Sequence, residues 1–293
     1  MLILFYKFLQ SEQNFVLHVL YQIMKVDKYN NFTFKSGLTK KMQSEIRFCS
    51  PKRIENYLAD KKIEADFKDN KVVAWCSLKC IQIVDTLNKK FGLNLCFPNG
   101  IFVEDFRNLN GANVNALGLT NFAPSYLYKS KNIIVPEKTV YFNKHDINWQ
   151  AIDQIGDITY ENGISVTNFF IENILHEFMH VLHENNLLKK LDGNILVNML
   201  QALQDKEVLK EFQKKYAKSL SDNICQYAAS NPFEAVACDL AGKEVHALDK
   251  ETLLPKTNIF NKKPYNNRYF LSKDKDSKYE KLLRNFWNGK FLV

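Results

Sequence analysis

Residues 165–184 read SVTNFFIENILHEFMHVLHE, and the rest of the chain is best interpreted around this stretch. Its apolar residues recur at intervals of three and four, which predicts a helix with one buried face. These residues are Ile171, Ile174, Leu175, Phe178 and Leu182. Ser165 or Thr167 is expected to cap the helix, and Glu172 places a negative charge in its first turn, where the helix dipole favours it.

The opposite side of this predicted helix carries the sequence HEFMH at positions 176–180. His176 and His180 are one helical turn apart and therefore lie on one face. That arrangement holds a zinc ion and leaves Glu177, at the edge of the same face, free to act on a water molecule. The competing interpretation is a surface helix that happens to carry three histidines.

A chain of 293 residues can bury a sizeable core, and 46% hydrophobic residues indicate a globular protein. The net charge of +8 comes from lysines spread along the chain, with no nucleic-acid-binding signature. We therefore expect no nucleic-acid partner, although a basic nucleic-acid or membrane-surface binder remains a third functional class. The six cysteines are irregularly spaced and are predicted to be free thiols.

The sequence begins MLILFYKFLQ, which lacks the basic region and cleavage site of a secretory signal. No apolar run is long enough to predict a transmembrane segment. If the protein is secreted or translocated into a host cell, we expect a route that shows no signal peptide; otherwise it is cytoplasmic. The sequence does not indicate an oligomeric state.

A catalytic zinc usually takes three protein ligands, and the sequence offers three candidates for the third. His183 is one turn beyond His180, which requires a bent helix if it is to share an ion with His176. His246 lies in a charged segment with no supporting pattern. Glu234 follows Asn231 and Pro232, which are typical of a helix start, and small residues after it would allow close helix packing. The competing interpretation of Glu234 is an ordinary residue of a helix N-terminus.

The HEFMH motif and the later segment YAASNPFEAVA, residues 227–237, together resemble one family. This is the lethal-factor and Pro-Pro-endopeptidase group of gluzincin zinc metallopeptidases. The resemblance implies that His176, His180 and Glu234 bind one Zn²⁺ ion, that Glu177 is the general base and that Tyr227 assists at the transition state. The family tends to carry Asp at the position of His183.

The same resemblance, which extends over about residues 93–242, implies an α+β, zincin-type metallopeptidase fold. Such a fold has a small sheet, an active-site helix with the HExxH motif and a helical C-terminal lobe. The helical spacing of apolar residues separately predicts a helical N-terminal region over residues 1–70, and we predict a zincin-like domain over 71–293. The predicted function is a zinc endopeptidase acting on a selected protein, in the manner of a secreted bacterial toxin or effector. The alternative is a catalytically silent interaction module with the same fold.

Residues 132–135 and 139–142 are rich in β-branched and aromatic side chains and are predicted to be strands. Pro136 between them favours an edge position or a turn. An edge strand beside the metal helix would bind a peptide or protein substrate in extended form. Residues 93–97 are predicted as a further short strand, and the Asn- and Gly-rich residues 108–120 as a loop.

Overall fold

The computed structural model describes residues 38–91, 94–109, 112–121, 125–126, 134–135, 138–145, 147–191, 195, 198–199, 202–203, 205–248, 253 and 277–290. Over these residues the chain is a mixed α+β protein, mostly helical with a small sheet, which confirms the predicted class. The helices are α1 (Lys40–Phe48), α2 (Pro51–Asp60), α3 (Lys71–Phe91), α4 (Ile152–Glu161), α5 (Glu172–Lys190), α6 (Lys206–Asn223), α7 (Pro232–Ala247) and α8 (Ser277–Trp287). The strands are β1 (Glu64–Asp66), β2 (Gly100–Glu104), β3 (Gly118–Asn121), β4 (Ser125–Tyr126), β5 (Ile134–Val135) and β6 (Thr139–Asn143).

The main sheet has four strands in the order β1-β2-β6-β3. Strands β1, β2 and β6 run parallel, and β3 pairs antiparallel with β6 at one edge, with Thr120 opposite Val140. Every residue of β6 is buried, as expected for a central strand. Strands β4 and β5 form a separate antiparallel pair.

Local sequence signals account for the main helices. Ser50 caps α2 by accepting a hydrogen bond from the Arg53 amide, and Pro51 occupies the first turn, where it costs no hydrogen bond. Apolar residues at helical spacing predict a helix over residues 71–91, and α3 spans these residues. The apolar face of α5 is also buried as predicted. The two helices lie in one hydrophobic core with β2 and β6, so the sheet and α3 support the apolar side of α5.

Buried residues between Met42 and Phe67 belong to this same core, and β1 pairs with β2 in the main sheet. The division of the chain at residue 70 remains a prediction, because residues 1–37 lie outside the described part. Within the described part, residues 64–66, which precede the predicted boundary, form β1 and pair with β2 of the main sheet.

Three details of the strand predictions were wrong. Residues 94–98 have no regular structure, so the short strand expected at 93–97 is absent from its described portion. The predicted loop at 108–120 ends in β3, the strand at the sheet edge. Residues 139–142 instead belong to a central strand, because β3 pairs with the side of β6 that was expected to be open.

None of the helices in the described ranges is both long enough and apolar enough to cross a membrane.

Candidate metal centre

Helix α5 carries the two motif histidines and begins later than Ser165 or Thr167 would require. Its first residue is Glu172, its N-cap is Ile171, and no side chain caps it, so the predicted cap was wrong. The buried Glu172 carboxylate instead accepts hydrogen bonds from the Val166 amide (2.6 Å), the Thr167 amide (2.7 Å) and the Thr167 hydroxyl. Burial raises the pKa of Glu172 to about 7 despite these bonds. Glu172 therefore fixes the incoming loop to the first turn of α5.

Helix α7 carries Glu234, and it begins where the sequence predicted. The Asn231 side chain accepts hydrogen bonds from the amides of Phe233 (2.9 Å) and Glu234 (3.0 Å), and Pro232 occupies the first turn. Ala237 and Ala241 are fully buried where α7 packs on α5. An ideal Cβ on Gly242 would lie 2.8 Å from Val166, so this glycine accommodates the loop before α5.

The side chains of His176, His180 and Glu234 converge on one point between the two helices. Glu234 Oε2 lies 2.9 Å from His176 Nε2 and 3.2 Å from His180 Nε2, and the two nitrogens are 3.0 Å apart. The three side chains are between 5% and 16% exposed, so the point is shielded but reachable. Within the described residues these three form a group that could hold a metal ion.

The electrostatics of this group favour a bound cation. Burial by itself lowers the pKa of His176, but the hydrogen bond and charge of Glu234 raise it to about 9. Burial by itself raises the pKa of Glu234, but the charge of His180 and the hydrogen bond from His176 hold it well below its usual range. The pair therefore keeps a buried carboxylate ionised beside a positive charge, and a metal ion can supply that charge in place of a proton.

The donor set and its spacing also fit a metal. Two imidazole nitrogens and one carboxylate oxygen are a common protein ligand set for catalytic zinc. Around a tetrahedral ion with bonds of about 2.0–2.1 Å, ligand atoms lie about 3.3 Å apart. The observed separations of 2.9–3.2 Å are close to this value. His176 Nε2 and His180 Nε2 are 3.0 Å apart, so at most one of them can carry a proton that points at the other. When both nitrogens are unprotonated, their lone pairs can bind one metal ion.

Glu177 lies beside the edge strand β3 and is 8% exposed. Its Oε2 is 2.7 Å from the Thr120 hydroxyl, and its backbone carbonyl is 3.1 Å from the same hydroxyl. An ideal Cβ on Gly118 would lie 2.6 Å from Glu177 Oε1, so a side chain at residue 118 would displace the carboxylate from its observed position. The sequence did not single out Thr120, because this residue ends the predicted Asn- and Gly-rich loop and is 57 residues away from Glu177 in the chain.

Tyr227 lies in a short 3-10 helix, Tyr227–Ala229, just before α7. Its half-buried ring is 6.1 Å from the His176 ring, measured between centroids, and its amide donates to the Gly163 carbonyl at 3.0 Å. The structure therefore places all five of the predicted site residues in one region: His176, Glu177, His180, Tyr227 and Glu234.

The two other candidates for third ligand do not join the group. His183 is fully buried, and its Nε2 donates to the Phe286 carbonyl of α8 at 3.1 Å. Its ring stacks on Trp287 at 5.3 Å and contacts Phe233. Burial lowers the pKa of His183 to about 3, so this ring is neutral. His246 lies near the C-terminal end of α7, away from Glu234 in its first turn.

All six cysteines are free thiols, as predicted. Cys238 has an additional position that the sequence did not reveal. Its buried Sγ lies 3.8 Å from His176 Nδ1, the nitrogen that faces away from Glu234. It is one helical turn after Glu234, which is the only sequence signal that could have suggested the contact. Metal-bound histidines usually direct this second nitrogen at a polar partner, and here a thiol occupies that place.

Comparison with protein-family models, curated proteins and solved structures finds no match for this chain. The interpretation of the site consequently depends on its own residues and geometry.

Proposed function

We propose that the protein is a zinc-dependent endopeptidase of the gluzincin type with a zincin-type fold. The observation that supports this most strongly is the convergence of His176, His180 and Glu234 from two separate helices. A non-catalytic module would not require a carboxylate such as Glu177 beside that group. The resemblance of the two sequence motifs to the lethal-factor and Pro-Pro-endopeptidase group supports the same proposal.

His176, His180 and Glu234 would hold the zinc ion. When bound, zinc supplies Lewis acidity, which polarises a peptide carbonyl and acidifies a water molecule. Glu177 takes a proton from the attacking water and passes it to the leaving amine nitrogen. Tyr227 donates a hydrogen bond to the oxygen on which negative charge develops. The water oxygen forms the new bond to carbon as the carbon–nitrogen bond breaks.

The proposed substrate is a protein segment that binds in extended form along β3. Among the described residues, this strand lies at one edge of the main sheet, and it contacts the metal helix α5 through Gly118 and Thr120. An edge strand offers backbone groups to an added strand, so a peptide could bind antiparallel or parallel to β3. The sequence suggested an edge strand within residues 132–142, but of these residues 139–142 are central in the main sheet, and β3 lies outside them.

The test is a comparison of new protein N-termini in a cell lysate treated with the wild type or with Glu177→Ala. The substitution removes the general base while leaving the three ligands in place. New N-termini that occur only with the wild type would support the peptidase and define its cleavage site. If the two treatments are identical although both proteins contain zinc, the interaction module becomes the better description.

A further inference from the structure

Thr120 makes the one close polar contact seen at the Glu177 carboxylate within the described residues. The Thr120 hydroxyl is 2.7 Å from Oε2, and both side chains are at least nine-tenths buried. A hydrogen bond to a buried carboxylate is stronger than one between neutral groups, and it fixes the carboxylate orientation. Since Oε2 is held in this way, Oε1 is the oxygen left available above Gly118.

The side chain of Thr120 points at Glu177, whereas its backbone N–H and C=O groups point along the plane of the sheet. Leu117 accepts a hydrogen bond from the Asn143 amide, which makes residues 117 and 143 a bonded pair of the antiparallel ladder. Bonded and non-bonded pairs alternate along such a ladder, so the backbone groups of Gly118 and Thr120 point away from β6. They point towards the side of β3 that pairs with no other strand in the described part of the chain, and an added strand would bind there.

We infer that Thr120 is a positioning residue that holds the general base in place and connects it to the substrate-binding edge. The inference rests on the proposed peptidase function. The backbone of Thr120 is available to an extended peptide, and its hydroxyl orients Glu177. A peptide bound to β3 would therefore be held by the residue that also sets the direction of the base.

The geometry indicates which atoms are essential. The role requires the hydroxyl. Serine at position 120 should therefore preserve the function, whereas valine, which has the shape of threonine but no hydroxyl, should not. The role also requires the lack of a side chain at Gly118, because a Cβ there would displace the Glu177 carboxylate. A purely structural threonine would depend on shape, and valine would then suffice.

The first experiment is a double-mutant cycle on thermal unfolding of the metal-free protein, which needs no enzymatic activity. Thr120→Val should lower the unfolding midpoint of the wild type by about 4 °C. In the Glu177→Ala background the same change should lower it by less than about 2 °C, since the carboxylate partner is gone. Thr86→Val, which removes a hydroxyl bonded to the Gln82 carbonyl on α3, is the matched control and should show no such coupling.

The second experiment measures cleavage of a synthetic peptide that spans the site found in the lysate. Thr120→Val should lower kcat by about 10- to 100-fold, as expected for a misplaced catalytic group, and leave KM within about twofold. Thr120→Ser should retain kcat within about threefold, and Thr86→Val should match the wild type.

Coupling in the cycle together with a serine-rescued loss of kcat supports the inference. An additive cycle, or wild-type kcat for Thr120→Val, overturns it. If the wild type cleaves no protein, the proposed function fails, and coupling in the cycle would then identify a structural contact, which also overturns the positioning role.

Discussion

Helix α5 carries two histidine sites only one turn apart, and they have opposite properties. Towards its N-terminal end, His176 and His180 face a carboxylate of α7. Towards its C-terminal end, His183 faces a backbone carbonyl and the Trp287 ring of α8. The Glu234 carboxylate raises the pKa of His176 to about 9, whereas burial lowers that of His183 to about 3.

The contrast shows that a histidine's role depends on the partner that the fold supplies. A carboxylate beside two ring nitrogens makes a site for a cation. A carbonyl and two aromatic rings hold a neutral imidazole that joins two helices. Two further side chains of α5 bond to the same region: Asn186 Nδ2 donates to the Trp287 carbonyl at 2.5 Å, and Lys190 Nζ donates to the Asn288 side chain. We call His183, Asn186 and Lys190 the helix-joining set.

The largest expected effect is on metal binding. His176→Ala should weaken zinc binding by more than about 100-fold, because it removes a direct ligand and not only an outer partner. His183→Gln should leave zinc binding unchanged, since His183 is not part of the group. Calorimetric titration of the metal-free proteins with zinc measures both. Equal losses in the two variants would contradict the distinction between the two sites.

A second prediction concerns the stability of the contact between α5 and α8. His183→Ala should lower the free energy of unfolding by about 2–4 kcal/mol, because it leaves a cavity and removes the donor to the Phe286 carbonyl. His183→Gln should cost less, since its amide can replace that donor. Urea unfolding of the metal-free proteins measures these differences. A cost below about 0.5 kcal/mol for alanine would mean that His183 is not a structural residue.

A third prediction is the pH dependence of the same contact. The folded pKa of His183 is about 3, against 6.5 for an exposed histidine, so below pH 6.5 only the unfolded state takes up this proton. Its contribution to stability is complete above pH 6.5 and declines by about 1.4 kcal/mol per pH unit as pH falls towards 3.

The measurement is urea unfolding of the wild type and His183→Gln at pH 7.0, 5.5 and 4.5. The free energy of unfolding of the wild type, measured relative to that of His183→Gln, should fall by about 2.6 kcal/mol between pH 7.0 and 4.5, since glutamine does not titrate. Parallel curves would show that the pKa of His183 is the same in the folded and unfolded states, which contradicts the lowered value.

The smallest expected effect is at the exposed end of the helix-joining set. Lys190→Ala should change stability by less than about 0.5 kcal/mol, because the side chain is exposed and solvent competes for its bond to Asn288. Asn186→Ala should cost about 1 kcal/mol, as its amide is half-buried. The same urea experiment measures both, and a larger effect for Lys190 would reverse the expected order.

The sequence predicted the features that depend on nearby residues. The spacing of the motif histidines, the start of α7 at Asn231 and the extent of α3 follow from helix periodicity and capping, and the structure confirms them. From the residues alone, Glu234 was one of three candidates for the third ligand, because its approach to His176 depends on how α7 crosses α5.

Features that depend on distant partners were missed or misplaced. β3 is a four-residue strand in an Asn- and Gly-rich segment, and it owes its conformation to pairing with β6 and contact with Glu177. The cap of α5 was misassigned because Glu172 reaches back to bind the loop that contains Thr167. The zincin-type fold and the peptidase activity remain proposals.

The most direct test of the account is anomalous diffraction at the zinc absorption edge, from crystals of the protein grown with zinc. The account predicts one strong peak about 2.0–2.2 Å from His176 Nε2, His180 Nε2 and Glu234 Oε2. A peak elsewhere, or density at these residues that shows only hydrogen bonds between them, would contradict it.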